Sequence, residues 1–467
     1  MTIVLTPQQA VERALQAAKS EECVVIADES SSANLRWADN SLTTNGVSRS
    51  RQLTVIAINR NGDEARVGVI SRAGVGPDQV ADVVAEAEQA AADASPAEDA
   101  QPLITPDAAA GHGERWTEPP AATEIGVFAG FARDLGGVFD GAASGGRKLY
   151  GFAEHQFTSS YLGTSAGLRL RHDQPTGRLE LNAKSADLAR SAWAGAGTRD
   201  FSDVDVTAVA ADLAQRLAWA ERTVDLPAGR YQTLLPPTAV ADLLIYMYWS
   251  AGAKDALDGR TVFSKPGGGS RIGDQLAGMP LSLRSDPAAH GLQCAPFVLA
   301  HASSREASVF DNGLPTRRTD WIGGGKLAAL TQTRHTSRLS GQAVTPAIDN
   351  LIMDVPGAAG SMADLVSRTS RGLLLTCLWY IREVDPQTLL LTGLTRDGVY
   401  LVENGEVTGA VNNFRFNESP VAMLNRITEA GTTVPTLPRE WADYFTRAAM
   451  PPVRVEGFNM SSVSQAS

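Results

Sequence analysis

The spacing of apolar residues near the start of the chain predicts helices packed on a small sheet. Residues 7–19 place alanine and leucine on one helical face, and Thr6 followed by Pro7 is a favourable helix start. Apolar runs with the length and spacing of strands follow at residues 23–28, 34–38 and 53–59. The first part of the chain therefore predicts both helix and strand.

An Asn-Gly pair in the same region predicts a β-hairpin. Asn61 and Gly62 separate the apolar runs 53–59 and 64–71, and Asn-Gly between such runs is the strongest short hairpin signal. Residues 78–94 are rich in alanine, with valines spaced by helical turns, which predicts a helix. Together these elements predict a small N-terminal α/β domain over residues 1–95.

The next stretch predicts a connection and then a mixed region. Residues 96–123 are rich in alanine, proline and glutamate, which indicates a linker or a long surface loop. Residues 155–187 predict three strands, with a turn at residues 174–177 before the last of them. Residues 203–222 have helical periodicity behind a cap at Asp205 or Thr207. We therefore predict a middle α+β region over residues 124–227.

From residue 228 onward, short apolar runs alternate with glycine-containing turns, which predicts a β-rich C-terminal domain over residues 228–455. Strands are predicted at residues 293–301, 307–310, 319–323, 325–332, 372–382, 389–396, 398–403 and 406–410. Asn404-Gly405 predicts a second hairpin, and Pro420 begins a predicted helix. The polar residues 456–467 predict a flexible tail. The whole chain is expected to have an α+β fold.

Composition and charge narrow the class of protein. The chain has 467 residues, with 41 basic and 52 acidic side chains and a net charge of −11. This acidic balance argues against a nucleic-acid surface, which needs a basic footprint. Three cysteines without C-x-x-C spacing favour a reducing compartment. No signal-peptide pattern is recognised, and no apolar run approaches the length of about 18 residues that a membrane span needs, so we expect a cytoplasmic protein.

Residues 236–263 begin with the pattern of an amphipathic helix that contains no histidine. A helix that binds zinc for peptide hydrolysis needs two histidines about one turn apart and a glutamate beside the first. This segment offers Asp242, Tyr246, Tyr248 and Trp249 instead. The six histidines of the chain are not paired at ligand spacing either, so we predict no metal site. Ligands assembled from distant loops would escape this reasoning.

His301 and Glu306 are the candidates for catalysis by this chain itself. His301 ends an apolar run, and Glu306 follows five residues later. A histidine and a carboxylate beside a groove are able to act as general base and acid. The alternative interpretation is a histidine at the end of a strand that faces solvent.

Three blocks of the sequence resemble the TldD/PmbA family of gyrase modulators, also known as TldD/TldE peptidases. The blocks are residues 34–76, residues 308–341 with D-N-G-L-P-T-R-R-T, and residues 372–427 with V-E-N-G-E. In members of the TldD type, an H-E-x-x-x-H zinc motif lies on the helix that corresponds to residues 236–263. This chain has no H-E dipeptide, so it resembles the TldE (PmbA) type, which lacks the metal ligands.

The resemblance implies a subunit of a zinc metallopeptidase complex that degrades or trims unfolded peptides. Zinc is then expected in a TldD-type partner, with no cofactor bound by this chain, and residues 228–455 form a peptidase-like domain. The candidate residues for the heterodimer interface are Tyr246, Tyr248 and Trp249, which fit the chain's own core equally well. The candidates for the peptide cleft are Asp311, Asn312 and Gly313, which also fit a plain surface turn.

Two other functions stay open at the level of sequence. An independent hydrolase would use an unrecognised site, with His301 and Glu306 as its candidates, so whether the chain is itself an enzyme is undecided. A non-enzymatic protein that modulates gyrase or a toxin would form a stable complex with that partner and hydrolyse nothing. A neighbouring gene that encodes H-E-x-x-x-H would favour the role of partner subunit.

Overall fold

The computed structural model describes residues 5–109, 113, 115–396 and 398–464, and these residues form an α+β fold with three sheets. In the first 220 residues the helices are α1 (Pro7–Ala17), α2 (Val80–Asp93), α3 (Ala129–Ser144) and α4 (Val206–Trp219). The strands there are β1 (Glu22–Ala38), β2 (Ser41–Asn61), β3 (Glu64–Ala73), β4 (Arg147–Thr164), β5 (Arg169–Ser185) and β6 (Ser191–Thr198). The predicted α+β class is therefore confirmed.

The six strands of this first part form one antiparallel sheet in the order β3-β2-β1-β4-β5-β6. Strand β1 pairs with β2 along its whole length and with β4 from Val24 to Trp37. Residues 1–95 and 124–227, which the sequence predicted as separate units, thus share one sheet. Burial explains this, because Leu35 and Trp37 at the end of β1 pack against α3 and α4 rather than against the N-terminal helices.

Local signals placed several elements correctly. Thr6 and Gln9 form a capping box at the start of α1, and Asp205 caps α4. Asn61 pairs with Glu64 across the first predicted hairpin turn. Asn404 and Gly405 both have positive φ angles, 51° and 83°, which a two-residue hairpin of the Asn-Gly type requires.

The turn predicted at residues 174–177 is wrong, because these residues lie inside β5. The chain instead turns at residues 165–168, between β4 and β5. Pro175 is tolerated in the strand because it pairs with Phe157 on one side, whereas β6 pairs with β5 only from Gly177 onward. The predicted strands 23–28 and 34–38 are parts of the single long strand β1.

The C-terminal part contains two further sheets. Its helices are α5 (Pro237–Trp249), α6 (Ala253–Leu257), α7 (Arg334–Ser340), α8 (Met362–Ser367) and α9 (Pro420–Leu424). Its strands are β7 (Thr223–Val224), β8 (Gly229–Leu235), β9 (Ser282–Ser285), β10 (Thr319–Gly323), β11 (Lys326–Leu327), β12 (Leu351–Asp354), β13 (Arg371–Leu375), β14 (Trp379–Asp385), β15 (Leu390–Leu394), β16 (Val399–Glu403), β17 (Glu406–Val411), β18 (Phe414–Glu418), β19 (Ile427–Ala430), β20 (Val434–Thr436), β21 (Ala448–Met450) and β22 (Val453–Val463).

The second sheet has the order β11-β10-β9-β12-β21-β20. The third runs β14-β15-β18-β22-β8-β13-β16-β17-β7, with β19 also paired to β22. Residues 456–463, predicted as part of a flexible tail, continue β22 and pair with β18 and β8 in the middle of this sheet. That prediction is wrong for these residues, because Phe458 and Met460 are fully buried. Residues 465–467 lie outside the described part.

Two of the predicted C-terminal strands are not formed. Residues 293–301 make only an isolated bridge between Phe297 and Pro315, and Val309–Asp311 is a short 3-10 turn. The apolar side chains of this region do pack, but against the first sheet: Phe297, Val309 and Phe310 are buried with residues of β1 and β2. Burial against the face of a neighbouring sheet produced the strand-like pattern.

In the predicted linker, residues 96–123, the described residues 96–109, 113 and 115–123 are largely irregular but partly buried. Leu103 and Ile104 are buried, and the guanidinium of Arg60 donates to the carbonyl of Gln101 at 2.6 Å. His112 lies outside the described residues. No helix among the described residues is long and apolar enough to cross a membrane.

Candidate functional site

Helix α5, the segment that lacks the zinc motif, is a core helix. Its apolar side chains lie in one large cluster with residues of both C-terminal sheets, so that nearly every face of the helix is covered. A helix that is apolar on all sides is buried on all sides. The predicted amphipathic pattern is therefore wrong, since the second sheet covers the face that would otherwise meet water.

Asp242 is the exception to the apolar character of α5. It is fully buried, and its Oδ1 accepts a hydrogen bond of 2.9 Å from the backbone N–H of Glu440. Its Oδ2 has no hydrogen-bond partner. Burial raises the pKa of this carboxyl group well above its usual value, and the negative charge of Glu440 adds to the effect. Burial therefore favours the neutral form of Asp242, and its hydrogen bond joins α5 to the segment at residue 440.

We expect replacement of Asp242 by asparagine to remove a pH dependence of stability. The folded state keeps a proton on this carboxyl that the unfolded state releases above its ordinary pKa, so wild-type stability falls as pH rises through that window. One proton changes the free energy of unfolding by at most about 1.4 kcal/mol per pH unit. Urea unfolding between pH 5 and pH 8 should show that the free energy of unfolding of the variant increases relative to that of the wild type as pH rises. If the difference in free energy of unfolding between variant and wild type were the same at every pH, Asp242 would not be neutral in the folded state.

The donor groups around α5 do not fit a zinc ion. Asp242 is fully buried and hydrogen-bonded to the backbone at Glu440, and α5 itself contains no histidine or cysteine. The rings of His155 and His172 are held elsewhere, by Thr123 with Arg199 and by Gln174 respectively. Among the described residues no three His, Cys, Asp or Glu side chains are placed to hold a metal ion. We derive no metal-dependent step for this chain.

The three aromatic candidates on α5 lie in different surroundings. Tyr248 is buried, and its hydroxyl donates to the carbonyl of Ile348 at 3.0 Å and accepts from the N–H of the same residue at 2.8 Å. Tyr246 is half-buried against Trp441. Trp249 stays 37% exposed and packs edge-on against Trp441 at 5.2 Å. Tyr248 thus belongs to the core, while Trp249 presents an aromatic surface to solvent.

A cavity of about 300 Å³ lies beside this helix. One wall is residues 295–300, a second is residues 306–316, and a third is residues 346–349, which Tyr248 anchors through Ile348. Most of the lining is apolar, including Phe297 and Ile348. A concave, mostly apolar pocket with a few polar groups is the usual form of a ligand site.

Of the three predicted cleft residues, Asp311 lines this cavity, while Asn312 and Gly313 lie next to it in sequence and are not among the lining residues. Asp311 is 2% exposed; its carboxylate pairs with the guanidinium of Arg334 at 2.7 Å. Asn312 is also buried and holds both the N–H and the carbonyl of Ala300. Gly313 has a φ angle of +87°, and a Cβ there would meet Leu168 at 2.2 Å. The segment is therefore a buried support of the cavity rather than a plain surface turn.

His301 and Glu306 have separate environments. The Nε2 of His301 lies 2.8 Å from a carboxylate oxygen of Asp28 on β1. Glu306 lines the cavity, and its pKa is raised by partial burial and by the negative charge of Asp255. No hydrogen bond between His301 and Glu306 occurs among the described residues, and His301 is not part of the cavity lining. Their catalytic roles stay predictions.

Sequence reasoning missed Arg334 and the wall at residues 346–349. A signal for Arg334 existed, since it lies in the same sequence block as Asp311. That block also contains Arg317, Arg318 and Arg338, however, and only the fold selects which arginine reaches the buried carboxylate. Residues 346–349 carry no motif, and the tyrosine that anchors them is 100 residues away.

The C-terminal half of the chain has the architecture of a metallopeptidase-type domain. Residues 228–462 match the model of the PmbA/TldA metallopeptidase C-terminal domain. The chain belongs to this family, which confirms the TldD/PmbA resemblance seen in the sequence. Comparison with curated proteins gives no match.

Solved structures share the whole fold at low sequence identity. TldE from Thermococcus kodakarensis is 15% identical with a TM-score of 0.78, over 96% of this chain and 98% of that one. A putative modulator of DNA gyrase from Bacteroides thetaiotaomicron is 14% identical with a TM-score of 0.75, over 98% of both chains. Another, from Thermotoga maritima, is 16% identical with a TM-score of 0.74, over 97% and 99%.

Proposed function

We propose that this chain is the TldE/PmbA-like subunit of a two-subunit zinc metallopeptidase that degrades or trims unfolded peptides. The observation that carries the proposal is helix α5, which is apolar and buried, contains no histidine, and has one buried, hydrogen-bonded carboxyl group at Asp242. The family resemblance aligns this helix with the one that holds the zinc ligands in the TldD type. Zinc and water activation then belong to a TldD-type partner. This chain supplies a wall of the peptide-binding chamber.

Two features support a role in peptide binding. The first is the cavity lined by Asp311 and Ile348. The second is an open sheet edge, because β3 pairs with β2 only from Gln52 onward, the N–H of Gly74 bonds the carbonyl of Arg51, and residues 41–50 of β2 are left without a strand partner on that side. An unpaired edge binds extended polypeptides through backbone hydrogen bonds and tolerates many sequences. Such tolerance suits an unfolded substrate.

The proposed location is the cytoplasm. The three cysteines, Cys23, Cys294 and Cys377, are buried and form no disulfide. Burial raises the pKa of the Cys23 thiol to about 12 and that of Cys294 to about 11, which keeps both in the unreactive thiol form. Free thiols without disulfides are usual for proteins of a reducing compartment.

Affinity purification of the tagged chain from its own host tests the proposal. We expect a second subunit of similar size, about one zinc per pair, and peptide hydrolysis by the pair but not by the chain alone. Casein or an unfolded peptide serves as substrate. Hydrolysis by the isolated chain would overturn the proposal in favour of an independent hydrolase. A stable complex with gyrase and no hydrolysis in any complex would favour a non-enzymatic modulator.

We expect replacement of Trp249 by glutamate to weaken the pair while leaving the isolated chain folded. An exposed tryptophan at the end of a buried helix is a typical interface hot spot, worth about 2 kcal/mol or more. The dissociation constant should therefore rise at least about tenfold in a titration with the partner subunit. Leu339, which is 56% exposed on α7, provides the matched control when changed to glutamate. Equal affinity for wild type and the Trp249 variant would place the interface elsewhere.

A further inference from the structure

The polar groups that line the cavity beside α5 carry one sign of charge. Its carboxylates are Glu306, Asp311 and Asp349, and its other polar side chains are hydroxyls of serine and threonine. No lysine, arginine or histidine is among the lining residues. The cavity therefore offers hydrogen-bond acceptors and negative charge to a ligand, and no positive charge of its own.

Two of the three carboxylates already have arginine partners behind the cavity wall. Asp311 pairs with Arg334, and Asp349 pairs with Arg447. These pairs are neutral overall and hold the walls in place. They leave Glu306 as the carboxylate whose charge is available to a bound group.

Glu306 forms no ion pair and no side-chain hydrogen bond with the described residues. The neighbouring Arg305 is engaged elsewhere, at 2.5 Å from Asp255 and 2.6 Å from Asp258. The carboxylate of Glu306 lies over Gly252, where a Cβ would stand 3.7 Å from its Oε1. Glu306 is exposed as a residue; burial of part of its side chain and the charge of Asp255 raise its pKa, and the charge of Arg305 lowers it.

The rest of the lining is hydrocarbon. The apolar walls include Phe297, Val298, Leu299 and Ile348. A ligand group that matches both parts has an aliphatic stem and a positive end. A lysine side chain combines four methylene groups with an ammonium that donates three hydrogen bonds.

We propose that this cavity binds a lysine side chain of an extended peptide, with the methylene groups against Phe297 and Ile348 and the ammonium at the carboxylate of Glu306. The inference rests on the proposed role of this chain as a wall of the peptide chamber. It adds a preference for lysine at one position of the peptide to the sequence-tolerant binding of the backbone.

Fluorescence anisotropy with two labelled unfolded peptides tests the inference. The peptides have the same sequence, except that norleucine replaces every lysine in the second, which keeps the stem and removes the charge. We expect the full chain, alone and paired with its partner, to bind the lysine peptide about tenfold more tightly, as one charge-assisted hydrogen bond allows. Replacement of Glu306 by glutamine should weaken only the lysine peptide, to the level of the norleucine peptide.

The controls separate a charge effect from a folding defect. Glu406, an exposed glutamate at the turn between β16 and β17, should tolerate glutamine without any change in binding. Unchanged binding of the norleucine peptide by the Glu306→Gln variant shows that its walls are intact. Equal binding of the two peptides by the wild type, or a preference that survives Glu306→Gln, overturns the inference. Cadaverine binding at the cavity as tightly as the lysine peptide would assign it to free amines instead.

These outcomes are separate from those of the proposed function. A chain that pairs with a zinc-holding subunit but shows no lysine preference loses only the present inference. A chain that prefers lysine peptides but never pairs with a zinc-holding subunit keeps the cation site and loses the role of partner subunit.

Discussion

Replacement of Phe458 by alanine is expected to lower the free energy of unfolding by about 3–5 kcal/mol. Phe458 is fully buried in β22, in the largest core cluster, and its ring lies 5.8 Å from that of Phe416. Alanine removes this contact and leaves a cavity between strands that the rest of the sheet holds in place. Denaturant unfolding followed by tryptophan fluorescence measures the change.

Val463, near the end of the same strand, is the matched control. It pairs with Phe414 but is 50% exposed, so alanine there should change stability by less than about 0.5 kcal/mol. If the Phe458 variant unfolded like the wild type, residues 456–463 would not form the central strand. The chain would then end in the flexible tail that its polar sequence predicts.

Replacement of Arg334 by alanine should cost about 3 kcal/mol, because it leaves a buried carboxylate without its cation. Asp311 is 2% exposed and accepts from both the guanidinium and the backbone N–H of Arg334. The guanidinium also donates to the carbonyls of Phe310 and Pro102. Loss of Arg334 should therefore loosen the cavity wall and lower stability in the same measurement.

A second substitution checks the mechanism. Changing Asp311 to asparagine in the Arg334→Ala background removes the unpaired charge and should recover a large part of the lost stability. Arg338, one turn further along α7, makes only a 3.3 Å hydrogen bond to Ala100 and serves as the control. If the Arg338 and Arg334 variants were equally stable, the ion pair with Asp311 would contribute little to the fold.

The stability of this domain and its proposed ligand site depend on the same contacts. Arg334 fixes Asp311, Asn312 clamps Ala300, and Tyr248 fixes Ile348, so each wall of the cavity is held by one buried polar contact. The helix that carries Tyr248 contains no histidine or cysteine. We infer that this helix helps to form the cavity, because Tyr248 holds the wall at residues 346–349 in place.

Several elements follow from local sequence alone. The hairpin at Asn404-Gly405 forms because few other residue pairs adopt two positive φ angles at low cost, and at the first hairpin Gly62 supplies the positive φ angle. The starts of α1 and α4 follow from Thr6 and Asp205, whose side chains accept backbone N–H groups of their own helix. The sequence blocks also identified the family, which the C-terminal domain confirms.

Other features depend on contacts between distant parts of the chain. The sequence alone determined the α+β class, the hairpins, the helix caps and the family, because these depend on neighbouring residues or on motifs. Only the tertiary structure decided that β22 is central, that α5 is covered on nearly every face, and which arginine pairs with Asp311. Each of these depends on burial by segments far along the chain, and the pattern of polar and apolar residues does not record which surface will cover them.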